Sequence, residues 1–111
     1  MNQMPRPILT VRGDFGDGLD ELVADKFAVV ARHAHHPVLA VRVELDRHLD
    51  PAVEEPVAAK ANIDLNGTPV HAEATARTAQ GAVSRLVDKV IRQLDDRPRE
   101  PRARRRAERQ H

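Results

Sequence analysis

The chain has no cysteine, no tryptophan and no tyrosine, and only two phenylalanines, Phe15 and Phe27, among its 111 residues. Without cysteine there is no disulfide framework and no thiolate chemistry, a composition that suits the reducing cytoplasm. With so few aromatics the core must be built from Val, Leu, Ile and many alanines, each of which buries little area. Stability is therefore expected toward the low end of the usual range of roughly 5–15 kcal/mol. The same lack removes stacking on splayed bases as a means of holding nucleic acid. No apolar run is long enough for a signal peptide or a membrane span.

What is present is charge, unevenly placed. Residues 1–96 carry 11 Lys/Arg and 15 Asp/Glu, a net −4, whereas residues 97–111 carry 7 Arg and 2 Glu, a net +5. An Arg-rich end after an acidic body is the pattern of a disordered arm that meets a polyanion, and equally of a solubilising tail. The length fits one domain. The expected division is a folded unit over 1–97 and an Arg-rich, disordered tail over 98–111.

Residues Ile63 to Arg97 are the most informative stretch. Asn66-Gly67 supplies the two positive-φ residues of a type I′ hairpin turn. With the turn centred there, Ile63 faces Val70, Ala61 faces Ala72 and Ala59 faces Ala74 on an apolar side. Asn62 faces His71 and Lys60 faces Glu73 on a polar side. A slip of one residue would bury Lys60 and Glu73, so the register is well specified. Next, Thr78 is placed to cap a helix in which Ala79, Val83, Leu86, Val87, Val90 and Leu94 recur every three or four residues. Arg85, Lys89, Arg92 and Gln93 fall on the opposite side, with Arg97 just past the last full turn.

Upstream, Ile8 to Arg12 is a short β-rich run, and Leu19, Leu22, Val23, Phe27, Val30 and Ala34 predict a helix from about 18 to 34. His35-His36-Pro37 ends it, because a residue preceding proline leaves the α region. From Val38 to Leu45 the alternation places Leu39, Val41, Val43 and Leu45 inward. Asp50-Pro51 marks a turn, and Val57 to Leu65 is the next strand. The predicted class is α+β in the order β-α-β-β-β-α, with two helices packed on one face of a four-stranded sheet. The other face, carrying Arg42, Lys60, Asn62, His71, Glu73 and Arg77, should remain polar and open.

Enzyme chemistry finds little support. His33, His35 and His36 cluster at a helix end, where the dipole favours histidine, but a zinc site needs three or four converging ligands. His71, Glu73 and Asp64 could be drawn as an acid/base set, yet they sit on an exposed sheet face with no nucleophile beside them. Gly13 to Gly18 contains a GxxG pattern but neither a Walker lysine nor the dinucleotide glycines, and reads as a turn. The expectation is no catalytic residue, no metal, no cofactor and no small-molecule substrate.

Three segments carry a family likeness. NGTPVHAEA at 66–74, LVDKVIRQLDDR at 86–97 and VADKF at 23–27, set in the predicted element order, resemble the ribosome hibernation-promoting factor / ribosome-associated inhibitor family. The likeness spans residues 7–97, with its specific part from Asn66 onward. It implies a stress-response translation inhibitor that binds small-subunit rRNA between head and body, in the channel for mRNA and tRNA. It also implies a protein that works in the cytoplasm and is monomeric off the ribosome. Lys89 and Arg92 match the cations of the motif DKxxRQ, and Lys26 and Arg32 match basic positions of the first helix. Arg85 and Arg97 complete the expected rRNA-binding set.

The chain departs from the family pattern where an acidic-Met-Tyr element becomes Ala79-Gln80-Gly81, and where basic positions become Asp96 and Val29. Long members append a dimerising domain, and the short form implied here suits blocking of single ribosomes. Two other readings stand beside this one. A double-stranded-RNA binder of similar layout would need cations at the start of the last helix, which Thr78 to Ala82 lack. A diverged protein-interaction module of the same fold would use the open sheet face or the tail.

Overall fold

The structure, a computed structural model, describes residues 4–96; Arg97 and the Arg-rich segment 98–111 lie outside the described residues. In chain order the elements are β1 (Ile8–Arg12), α1 (Leu19–Phe27), α2 (Val30–His33), β2 (Val38–Arg47), β3 (Val57–Leu65), β4 (Thr68–Ala76) and α3 (Ala79–Asp96). The sheet order is β1-β2-β3-β4, with β1 parallel to β2 and the remaining pairs antiparallel. A parallel pair needs a crossover, and α1 and α2 supply it. The helices cover one face, giving the expected α+β architecture.

The hairpin forms in the register that its side chains specify. Ile63 pairs with Val70, Ala61 with Ala72, Asn62 with His71 and Lys60 with Glu73. Asn66 and Gly67 have φ of 53° and 89°, the left-handed values the turn requires. The Asp64 carboxylate secures it by accepting the Gly67 amide at 2.7 Å.

Two local expectations are corrected. The predicted single helix over 18–34 is divided, with Ala28 and Val29 between α1 and α2. Both junction residues keep right-handed dihedrals, but Arg32 N–H donates to the Val29 carbonyl, a tightened i→i+3 bond. The adjacent β-branched Val29 and Val30 lower helix propensity at this point. Phe27, Val30 and Ala34 nevertheless remain buried.

The second correction concerns β2, where Leu39 does not face inward but is 54% exposed, while Val38 is buried. The pairing with β3 shifts between Val38 and Ala40. An irregularity of this kind reverses the side-chain alternation, so Val38 takes the inward place and Leu39 is turned out.

The core is aliphatic and fine-grained. Phe27, Leu45, Ile63, Leu86 and Leu94 are its largest fully buried members, and Ala59, Ala61, Ala72, Ala74, Ala76 and Ala82 line much of the space between sheet and helix. No polar or charged residue is buried among the described residues. Phe15 is only half-buried, with the Arg47 guanidinium 4.5 Å above its ring. The two phenylalanines should therefore differ sharply in a urea melt. Phe27→Ala is expected to cost about 3–5 kcal/mol through the cavity it leaves. Phe15→Ala should cost less, about 1–2 kcal/mol, for the loss of its half-buried packing against the core and of the Arg47 contact.

Candidate nucleic-acid interface

The last helix sets the geometry of the candidate surface, and Thr78 sets its start. Thr78 Oγ1 accepts the Gly81 amide at 3.0 Å, and its carbonyl accepts the Ala82 amide at 2.9 Å, as an N-cap does. A Cβ on Gly81 would lie 3.2 Å from both Ala76 Cβ and Thr78 Oγ1. The first turn of α3 thus lies tight against the end of β4. Ala82, Val83, Leu86, Val87, Val90 and Leu94 are buried, which fixes the rotation of the helix about its axis.

That rotation turns one flank of α3 onto an open strand edge. β4 ends the sheet, so alternate carbonyls along it have no strand partner. Arg85 Nη1 donates to the Thr75 carbonyl at 2.6 Å, Lys89 Nζ to the Glu73 carbonyl at 2.7 Å, and Gln93 Nε2 to the His71 carbonyl at 2.7 Å. Residues spaced by four on the helix meet residues spaced by two on an antiparallel strand. The stripe that the sequence places on the solvent side is therefore partly committed to the fold.

Arg85 has a further partner. Its Nη1 donates to Glu55 Oε2 at 2.7 Å, and Thr75 Oγ1 donates to Glu55 Oε1 at 2.8 Å. Glu55 comes from the loop between β2 and β3, which folds on itself through His48 N–H to the Pro56 carbonyl and Ala52 N–H to Asp50 Oδ1. The Arg85 hydrogen bond, followed by that from Thr75, holds the Glu55 carboxyl below its ordinary value, and Arg77 adds a weaker attraction.

The opposite flank of α3 is acidic and faces α2. His33 Nδ1 lies 2.9 Å from Asp95 Oδ1, joining the two helices. Asp88, one heptad earlier, lies on the same flank. Arg92 stands between the flanks on the solvent crest, exposed and without a side-chain partner among the described residues. Arg32 is exposed beside His33 on α2, and Lys26 is half-buried in the last turn of α1. The expected set therefore divides. Arg85 and Lys89 gather at the β4 edge, while Arg92, Arg32 and Lys26 project from the helical layer. Arg97 lies outside the described residues. Sequence reasoning missed Glu55; a loop acid 30 residues from its partner leaves no periodic signal.

The open face of the sheet has no single sign. Arg42, Asn62 and His71 form one cross-strand row, and Glu44, Lys60 and Glu73 the next. The His71 ring sits 2.7 Å from Asn62 Oδ1 and 3.2 Å from Glu73 Oε2. Cations and acids alternate, so polyanions find no continuous patch there. No group of three or more metal-ligating side chains converges among the described residues. No helix among them is long and apolar enough to cross a membrane.

Residues 9–100 match the family model described as Sigma 54 modulation protein / S30EA ribosomal protein. Among solved structures, the fold is similar to the N-terminal domain of Protein Y from Thermus thermophilus. The TM-score is 0.65 at 21% identity, covering 84% of this chain and 97% of that one. It is also similar to a ribosomal subunit interface protein from Coxiella burnetii, with a TM-score of 0.64 at 20% identity, covering 79% of this chain and 91% of that one. No curated protein matches the sequence significantly.

The edge contacts generate two expectations. Gln93→Ala and Lys89→Ala each leave a β4 carbonyl without its protein donor, and should each lower stability by about 0.5–1.5 kcal/mol in denaturant titrations. A merely solvated stripe would show almost no loss. Glu55, with its folded-state pKa depressed, binds protons less readily than in the unfolded chain. Its stabilising contribution is thus present above the unfolded value and lost as pH falls through the folded one. Stability measured from neutral to acid pH should decline less steeply in Glu55→Gln than in the parent.

Proposed function

The chain belongs to the Sigma 54 modulation protein / S30EA ribosomal protein family, and from that membership we propose that it is a ribosome-associated inhibitor of translation. It binds small-subunit rRNA in the mRNA/tRNA channel through its basic helix surface, works in the cytoplasm under stress, and is monomeric off the ribosome. The observation that carries this reading is the family match over residues 9–100, which includes the Lys89/Arg92 motif on α3. The family description names a modulation protein and a ribosomal protein, not an enzyme.

The chemistry of the surface supports a backbone-reading mode. Arg92, Arg32 and Lys26 project from the helical layer, and Arg85 presents part of its guanidinium beside them. Phosphate is what such separated cations bind in common, and the absence of Tyr and Trp leaves no stacking platform. The packed helices hold these cations at fixed separations, so the preferred RNA is one whose phosphates are already arranged in a folded cleft. Double-stranded RNA is a weaker fit, since the first turn of α3 carries no cation.

A second reading draws on the open sheet face, whose mixed rows of Arg42, Asn62 and His71 and of Glu44, Lys60 and Glu73 suit a protein partner better than RNA. Co-sedimentation of the full chain with ribosomes and isolated subunits across a salt series separates the two. Under the ribosomal reading the chain pellets with the small subunit at low salt. The triple variant Lys26→Ala/Arg32→Ala/Arg92→Ala should weaken binding at least about tenfold and flatten the log–log salt slope by about 2–3. Lys60→Ala should leave both unchanged. Loss of binding with Lys60→Ala but not with the triple variant would favour the sheet face.

A further inference from the structure

We propose that Glu55 is an internal stand-in for phosphate at Arg85, so that this loop carboxylate sets how much the last helix contributes to polyanion binding. The inference rests on the ribosomal reading and deepens it, by naming a residue that acts against the cations rather than among them.

A guanidinium has five N–H donors in a fixed fork. Both N–H groups of Arg85 Nη1 are engaged, one with Glu55 Oε2 at 2.7 Å and one with the Thr75 carbonyl at 2.6 Å. Nε and Nη2 have no partner among the described residues, and these two form the side-on edge that takes a phosphate or carboxylate in two parallel bonds. Glu55 is held in turn by the Thr75 hydroxyl at 2.8 Å. Its loop is closed at the base by His48 N–H on the Pro56 carbonyl at 2.7 Å. The carboxylate is therefore placed by the fold, not by chance contact of two long side chains. Both partners remain reachable from solvent, with side-chain exposures of 56% for Arg85 and 41% for Glu55.

The consequence follows from how polyanions bind. A cation contributes to affinity largely by replacing counterions condensed on the nucleic acid. Arg85 already carries a compensating charge, so a phosphate on its free edge meets a neutral pair. It gains a shaped pair of donors but little net attraction, and it is repelled by the carboxylate just behind. Arg77, the next cation toward which Glu55 is drawn, is partly offset by the same charge. The β4-edge end of α3 is thereby attenuated, while Arg92 on the crest has no carboxylate bonded to it among the described residues.

Glu55→Gln tests this in the full chain, because it removes the charge and keeps an acceptor for Arg85. The readouts are the affinity for isolated small subunits and its salt slope, with thermal melts showing that each variant is folded. The expected result is binding tighter by about two- to fivefold at low salt, with a slope steeper by about 0.7–0.9, as for one added cation. In an Arg85→Gln background the same change should leave the slope as it was, since the gain belongs to the pair. A folded Glu55→Gln protein with unchanged or weaker binding and an unchanged slope overturns the proposal. Glu55 would then only position the arginine, and the salt-dependent binding of the parent would still stand. If neither parent nor variant binds small subunits at low salt, the ribosomal reading itself fails and takes the proposal with it.

Discussion

The fit of α3 against the free edge of β4 is the constraint on which the remaining features depend. Four residues along a helix advance about 6.0 Å and two along an antiparallel strand about 6.8 Å, near enough that a row of side chains can follow a row of alternate carbonyls. Arg85, Lys89 and Gln93 do so along Thr75, Glu73 and His71. The row fixes the azimuth of the helix from outside, as Val83, Leu86, Val90 and Leu94 fix it from within. It also occupies carbonyls that an edge strand would otherwise offer to a passing chain. Cations whose bland role is solvation thus hold the sheet's last strand, and under the proposed function what meets RNA is what this task leaves free.

This row of bonds depends on close approach of helix and strand, and small residues make the approach possible. Ala59, Ala61, Ala72, Ala74 and Ala76 make up much of the inner surface of β3 and β4, beside Val57, Ile63, Leu65 and Val70, and Ala82 is fully buried on α3. With larger side chains the helix would stand farther off. Gly81 belongs to the same logic, since a Cβ there would crowd Ala76 and the capping hydroxyl of Thr78. A core of this kind buries less area per residue than an aromatic one, so side-chain bonds at its rim count for a larger share of the stability that remains.

Much of this was legible in the sequence, for identifiable reasons. The hairpin register follows from Asn66-Gly67 and a strict period of two, and each pair it specifies is present. The cap and buried stripe of α3 follow from Thr78 and a period near 3.6. What escaped was the local break and the distant partner. Leu39 reads as inward because alternation counts residues, whereas a pairing shift against β3 resets the count. The helix breaks at Ala28 and Val29 although the apolar spacing through Phe27, Val30 and Ala34 continues unbroken. A helical wheel separates Arg85, Lys89 and Gln93 from the core but does not say which flank overhangs a strand edge. It has no place at all for Glu55, which arrives from another loop.

The division of α3 bears on how an acidic body can belong to a ribosomal family. Residues 1–96 carry a net −4, so bulk attraction to RNA cannot come from this part of the chain. One flank of α3 is tied to β4 and Glu55, and the other presents Asp88 and Asp95, the latter bonded to His33. Between them Arg92 is exposed and unpaired among the described residues, with Arg32 and Lys26 on the neighbouring helices. Under the proposed function, such a surface would discriminate by position. Flexible RNA with evenly spread phosphates gains little from a few cations hemmed in by acids, because each favourable contact brings an unfavourable one close by. A folded cleft whose phosphates coincide with the free cations and avoid the acids obtains the attraction alone. Acids that weaken general affinity for RNA would then sharpen the choice of target.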